Sequence, residues 1–396
     1  MMPPAATTNL AGKMITAMVV ASLALSLAML AALLTAQARL NSDFMAFWAY
    51  PRFAAGPHPG QIYDAAALAP FEQHLYPGFK SFYPFIYPPP ALLAFSWLRL
   101  LPFGWAEIIW SLLGITALAL GTKAMFPIHS RDTLIALLGS PAALLCLAAG
   151  QTALFTTALL MAGFACLPRR PALAGLWFGL LTLKPQLGLL VAVFLLANGA
   201  WMSILAASIT ALALAGVFSL IFPPGMWPLW LKAMQTYQHD YFQAKTLNLN
   251  TLITPSANAI ALGASETAAW ILQIICGLAM IGLVVWAVRR TPYRLGVAIT
   301  LVATFLAQPH AYAYDSVAVI AALALALEAR PGPLALALGM ATYLAPWLLL
   351  SPASRWFVYA PLLAACLATI VALALSAQKS AESDHGPSRI LPPPAN

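Results

Sequence analysis

Only 11 of the 396 residues are acidic, so each carboxylate near an apolar segment can be weighed singly. Asp43 opens an aromatic-rich stretch, Asn41-Ser42-Asp43-Phe44-Met45-Ala46-Phe47-Trp48-Ala49-Tyr50, just after the first long apolar run. A carboxylate at a helix end facing a protein-lined pocket suits removal of a hydroxyl proton as a general base with a raised pKa. The same position equally suits a helix cap or a partner for Arg39 or Arg52. Lys184, in Lys184-Pro185-Gln186, interrupts an apolar stretch, where an ionisable residue is a functional candidate by default. Beside a helix-breaking proline its ammonium can be offered to an anionic phosphate; the alternative is a lysine that snorkels to the interface.

Gln308-Pro309-His310-Ala311-Tyr312-Ala313-Tyr314-Asp315 carries a second group of candidates. His310 could stabilise a departing phosphate by hydrogen bonding or as imidazolium, or be an interfacial histidine without a role. Asp315 could cap the helix that follows. Gln151 in Gly150-Gln151, and Asn248 and Asn250 in Leu247-Asn248-Leu249-Asn250-Thr251, add neutral hydrogen-bonding groups of the kind that read sugars. Tyr63-Asp64 and the run Phe82-Tyr83-Pro84-Phe85-Ile86-Tyr87-Pro88-Pro89-Pro90 are dense in rings and proline. Such rings anchor at the headgroup level or stack on a sugar or an isoprenoid.

The elements that must position these groups follow from composition. Apolar residues make up 62% of the chain and charged ones 8%, against about 25% charged in soluble domains, and mean hydropathy is +0.84. The fold class expected is an all-α integral membrane protein, with one domain over residues 1–378 and a disordered cytoplasmic tail over 379–396. Apolar segments can be drawn at 13–38, 88–102, 105–125, 132–148, 152–167, 171–184, 186–197, 201–221, 269–288, 294–308, 315–329, 333–350 and 356–377. The first exceeds the length of a secretory signal core and reads as a retained span. The four cysteines lie within apolar runs, which points to packing rather than to disulfides or a zinc site.

A net charge of +8 does not indicate nucleic acid, because the basic residues sit singly or in pairs at helix ends rather than in a stripe. Their pattern reads as topology: Lys13, Arg169–Arg170, Arg289–Arg290 with Arg294, Arg330 and Lys379 mark the cytoplasmic side. Loops 39–86 and 223–268, the turn at 149–151 and the stretch 308–315 then share the outer face. One parity conflict arises, since three segments lie between residue 86 and Gly150 where an even number of crossings is required. One of them must be re-entrant, interfacial or a half-helix. The pair 171–184 and 186–197, joined at Pro185, is expected to dip into the bilayer and return, a break tolerated only against protein or a polar cavity. Short interfacial helices suit loop 39–86.

No P-loop, Asp-x-Asp pair, His-x-x-x-His, Cys-x-x-Cys or Gly-x-Ser-x-Gly motif is present, which argues against ATP-driven pumping, a carboxylate-held metal and a serine hydrolase.

Asp43, Tyr63-Asp64, Tyr87-Pro88-Pro89, Gly150-Gln151, Lys184-Pro185-Gln186, Asn248-Leu249-Asn250 and Pro309-His310 through Asp315, taken in order from about residue 13 to 330, resemble glycosyltransferase family 87. This bacterial membrane family includes polyprenol-phosphate-mannose-dependent mannosyltransferases. The resemblance implies a C-type glycosyltransferase-like bundle of about 10–13 membrane helices in the bacterial inner membrane. Interfacial helices of the first outer loop would cover a cavity open to lipid on the periplasmic side. It also implies that Asp43 is the catalytic base and that His310 contacts the donor phosphate. Lys184 joins His310 as a phosphate candidate. Tyr63, Asp64, Tyr87, Gln151, Gln186, Asn248, Asn250, Tyr312 and Asp315 are candidates for sugar or lipid contact.

The expected partners are a polyprenyl-phosphate sugar donor, a lipid or glycan acceptor and membrane lipids. With no carboxylate cluster, no metal or other cofactor is expected. The expected reaction is a single displacement with inversion, which needs one base rather than a carboxylate pair; a fixed cation favours the leaving phosphate. A transporter or lipid flippase is the rival reading, since broken helices and an intramembrane lysine serve both. An inverted repeat would favour it, and none is evident. A structural scaffold comes third, and would leave Asp43, Lys184 and His310 replaceable.

Overall fold

A computed structural model describes residues 4–33, 42–75, 82–243, 252–349 and 359–384. Among them the chain is helical apart from one isolated antiparallel bridge, Leu252 with Tyr312. The α-helices in order are α1 (Pro4–Leu33), α2 (Phe44–Ala54), α3 (Ala65–Leu75), α4 (Ala91–Phe95), α5 (Phe103–Met125), α6 (Ser130–Leu138), α7 (Pro141–Ala149), α8 (Ala153–Cys166), α9 (Pro171–Leu180), α10 (Leu189–Ala197), α11 (Trp201–Ile221), α12 (Met226–Gln243), α13 (Pro255–Ala261), α14 (Glu266–Arg290), α15 (Tyr293–Ala307), α16 (Val317–Leu327), α17 (Pro333–Leu349) and α18 (Tyr359–Asp384). The last helix runs past residue 378, where the tail was expected to begin, and the remainder of that tail lies outside the described residues.

Among the described residues four helices are long and apolar enough to cross a bilayer alone: Phe103–Met125, Trp201–Ile221, Glu266–Arg290 and Tyr359–Gln378. At 1.5 Å per residue, helices of this length match a hydrocarbon core of about 30 Å. The α6–α7 pair is bent by 62° at Gly139-Ser140, where Ser140 caps α7 by accepting from the Ala143 amide and Pro141 takes the first helical position. Segment 88–102 is the short member of the conflicting trio. It folds as α4 and a 3-10 turn, Ser96–Leu100, too short to span, and packs its Leu92, Phe95 and Leu98 into the aromatic cluster of the first loop. Of the trio, α5 alone is long and apolar enough to cross by itself, and the bent α6–α7 pair is so only if its two helices make one broken span.

The chain around Lys184 turns back on itself. The Ser203 hydroxyl donates to the Pro171 carbonyl at 2.7 Å, so α11 begins at the level where α9 begins. A Cβ on Gly175 would meet Ser203 O at 2.3 Å, and one on Gly179 would meet Thr210 Cβ at 2.5 Å. Residue numbers therefore rise together and α9 and α11 run side by side in parallel, their close approach allowed by glycine. The chain leaves that level at Pro171, reaches a tip at Lys184 between two 3-10 turns, Leu181–Leu183 and Pro185–Gly188, and is back by Ser203. The fixed φ of Pro185 and its missing N–H stop the helix there.

Basic termini gather at the opposite end. Tyr293 donates to Phe164 O, and Arg294 bonds Met125 O and pairs with Glu328. The described residues form a large aliphatic core through α7, α8, α10, α15, α16 and α18, an aromatic one built from α2, residues 82–95 and α5, and a small cluster of Leu252 and Ala257 beside Tyr237 and Tyr312. In the aromatic core Phe47 stacks on Phe95 with centroids 4.7 Å apart, and Phe44, Phe47 and Phe85 are fully buried. Many rings of the first loop are thus core rather than interfacial anchors or open stacking platforms.

Candidate active site

Loop 39–86 does form short helices, α2, a 3-10 turn at Pro59–Tyr63, and α3, and with α12 they enclose a cavity of about 1010 Å³, at the upper end for small-molecule sites. Asp43, Tyr63, Asp64, Tyr87, Gln151 and Tyr312 all line it, although they come from segments far apart in sequence.

Asp43 precedes α2 but makes no cap hydrogen bond with its side chain. Arg52 does not pair with it either: that guanidinium bonds the carbonyls of Trp48, Leu98, Arg99 and Leu101 and stacks over the Trp48 ring. Of the two partners considered, Arg39 falls outside the described residues. The carboxylate instead accepts from Gln151 Nε2 at 2.6 Å, with a second side-chain hydrogen bond from Tyr83. Burial raises its pKa above the ordinary value, while those two bonds and the nearby Lys184 charge pull it down without cancelling the shift.

Gln151 is placed by a helix end. α7 closes in a Schellman motif, with Gln151 N bonding Cys146 O at 2.8 Å and Gly150 N bonding Leu147 O at 3.2 Å. Gly150 has φ 66°, its carbonyl accepts from Trp110 Nε1 at 2.9 Å, and a Cβ there would stand 2.3 Å from Phe44 Cβ. Both the backbone and the space demand glycine. Gly150→Ala is accordingly expected to cost about 3 kcal/mol by strain and overpacking, read as a lowered thermal midpoint in detergent. Turnover falls with it, because Phe44 adjoins Asp43.

The wall opposite is held by backbone contacts. Tyr63 donates to Tyr87 O at 3.2 Å and Tyr50 to Tyr83 O at 3.1 Å; the Tyr87 hydroxyl comes within 3.5 Å of Gln151 Oε1. Asp64 lines the cavity yet also caps α3 by accepting from Ala66 N at 2.9 Å. Glu72, which the sequence reading did not single out, is fully buried on α3 and accepts from Tyr83 N at 3.1 Å, while its Oε1 has no hydrogen-bond partner among the described residues. Burial pushes this carboxyl up to about 7. Because the folded-state pKa lies above the unfolded one, the fold binds the proton more tightly and loses stability as pH rises from about 4.5 to 7. Glu72→Gln should remove that slope and raise the thermal midpoint at pH 8, where thermal unfolding across pH checks it.

Lys184 and Asp315 meet as a buried ion pair at 2.5 Å, and Asp315 also caps its own turn by accepting from Tyr312 N at 3.2 Å. Neither lines the cavity: Tyr314, whose ring centroid is 5.5 Å from Lys184 Nζ, is the lining residue in front of them. His310 lies behind Tyr237 and Tyr312, with ring centroids 5.3 and 6.1 Å away. Burial and the Lys184 charge push its pKa down to about 4, which favours the neutral imidazole in the protein without substrate. Gln186 is half-buried and does not line the cavity; Asn248 and Asn250 lie outside the described residues. Sequence reasoning missed Tyr237 and Lys232 in the wall and carried Tyr83 and Tyr314 only as members of longer runs. The signal for Lys232 was available, because Leu229, Lys232, Ala233, Thr236 and Tyr237 repeat at one helical face.

The family model of glycosyltransferase family 87 matches residues 85–309, more than half of the chain. The chain belongs to glycosyltransferase family 87. No curated protein and no solved structure matches it. With its long apolar helices it is a multi-pass membrane glycosyltransferase, an enzyme with a sugar donor and an acceptor, which sets aside the transporter and scaffold readings. The matched span encloses Tyr87, Gln151, Lys184 and Gln186 and ends at Pro309. Asp43 precedes it, and His310, Tyr312 and Asp315 follow it, so folding rather than the matched sequence brings Asp43 to Gln151.

Proposed function

We propose that this family 87 enzyme moves a sugar, a hexose such as mannose or a pentose, from a polyprenyl-phosphate donor to a hydroxyl of a lipid or glycan acceptor. The reaction is a single displacement with inversion on the non-cytoplasmic face of the bacterial inner membrane, in a C-type glycosyltransferase-like fold. The observation that carries the reading is the Asp43 carboxylate, held by Gln151 at 2.6 Å in the wall of a large cavity and committed neither to a helix cap nor to Arg52.

Desolvation strengthens Asp43 as a base toward an acceptor hydroxyl, and the amide of Gln151 fixes which oxygen faces the cavity. Attack on the anomeric carbon expels the phosphate as the proton passes to Asp43. We assign the donor phosphate to the side of the cavity backed by His310 and the Lys184–Asp315 pair, which stand behind Tyr312 and Tyr314 rather than in the lining, and this reading invokes no bound metal.

The test is transfer by the purified full chain in nanodiscs, offered polyprenyl-phosphate sugars and nucleotide sugars side by side. Turnover of the polyprenyl-phosphate donors with an inverted anomeric product is expected. Turnover of nucleotide sugars alone, or retention of configuration, overturns the proposal.

A further inference from the structure

The charges that line the cavity are few. Asp43 and Asp64 supply carboxylates, and Lys232 is the one Lys or Arg among its lining residues. The other cations nearby are occupied: Lys184 by Asp315, and Arg52 by four carbonyls and the Trp48 face. Among the described residues Lys232 forms no ion pair with Asp43 or Asp64.

Lys232 is an exposed residue on a helix that is itself held in place. α12 is pinned to the far wall, where Trp230 Nε1 donates to Ile86 O at 3.2 Å. Leu229 packs over Gly60 so closely that a Cβ there would lie 3.0 Å from Leu229 Cδ1. Thr236, one turn after Lys232, lines the same cavity and turns its hydroxyl to the Lys232 carbonyl at 3.3 Å. A compact ammonium on a long stem is suited to a phosphate oxygen.

We propose that Lys232 is the anion-binding residue of this cavity and holds the phosphate of a lipid substrate. This rests on the reading of the cavity as the site of sugar transfer. A phosphate in that position belongs either to the polyprenyl donor or to the headgroup of a phospholipid-based acceptor, and the same side chain would recognise both.

Lys232→Gln, Lys232→Arg and wild type would be compared as full-length protein in nanodiscs, first by direct binding. The probes are polyprenyl monophosphate and phosphatidylglycerol, each titrated against the tryptophan emission of the protein. Lys232→Gln should raise Kd for one probe by about 10- to 100-fold, and Lys232→Arg should restore it to within a few-fold. A shift for polyprenyl monophosphate assigns the site to the donor, and a shift for phosphatidylglycerol assigns it to an acceptor headgroup. Steady-state kinetics should then show kcat/KM for that substrate falling by a similar factor in Lys232→Gln and recovering in Lys232→Arg. If neither Kd moves in Lys232→Gln while wild type binds a probe, or if wild type binds neither, the anion site is overturned. Transfer that still depends on Asp43 would leave the reading of the cavity intact, whereas wild type inactive toward polyprenyl-phosphate sugars would remove that reading even if Lys232 binds phosphate.

Discussion

Asp43→Asn is expected to reduce sugar transfer by about 10³-fold or more while leaving the fold intact. General-base catalysis alone contributes about 10²–10⁴-fold, and the replacement keeps an oxygen able to accept from Gln151 Nε2, which now donates at 2.6 Å. A loss of activity could in principle come from a damaged site, and stability tells the two apart. The Asp43 pKa is raised in the fold, chiefly by burial, so the folded state favours the protonated form and ionised Asp43 destabilises it at neutral pH. The asparagine variant should therefore melt at the same or a higher temperature than wild type while transferring almost nothing. The pH profile supplies a second readout. The base acts ionised, so wild-type turnover rises with pH through a pKa above the ordinary carboxylate value, and that limb should vanish from the residual activity of the variant. Transfer by Asp43→Asn at the wild-type rate would remove Asp43 from the mechanism.

Breaking the buried ion pair should carry the largest cost in stability. The side chains of Lys184 and Asp315 are 8% and 1% exposed and 2.5 Å apart. Lys184→Met leaves a carboxylate without its counter-charge, and Asp315→Asn leaves an ammonium likewise, each costing about 3–5 kcal/mol. The double variant Lys184→Met/Asp315→Asn removes both charges and keeps an acceptor for Tyr312 N, which now bonds Asp315 at 3.2 Å. It should recover most of the loss, giving a strong favourable coupling in a double-mutant cycle read by thermal unfolding in detergent. Additive losses would show that the two charges do not depend on each other. Both single variants should also slow transfer, because the pair anchors the tip of the 171–200 hairpin to the turn that carries Tyr312 and Tyr314 into the cavity wall.

The sequence by itself determined the solvent and the class of fold. An excess of apolar residues with so few charges calls for a bilayer, and apolar runs of about 20 residues select helices there, because a helix bonds every backbone group within its own segment. It also marked the helix breaks at Ser140-Pro141 and Lys184-Pro185, because proline fixes φ and lacks a donor wherever it stands. The family likeness was legible from short motifs in order, and Asp43, Gln151, Tyr63, Tyr87 and Tyr312 were named before their positions were known.

What only the tertiary structure decided is which of two equal readings each polar group takes. Asp43 could be a cap, an arginine partner or a cavity carboxylate, and a local pattern cannot choose, since the deciding partner, Gln151, is 108 residues away. Lys184 read as a free cation because its counter-charge, Asp315, lies 131 residues on. His310 read as able to carry charge because burial is not a local property. Lys232 was passed over because a lysine on an amphipathic helix ordinarily faces water, and only the packing of α12 against Gly60 and Ile86 turns that face into a cavity. Composition and backbone chemistry act residue by residue and survive in the sequence; desolvation and pairing depend on which distant segments meet, and those are settled by packing.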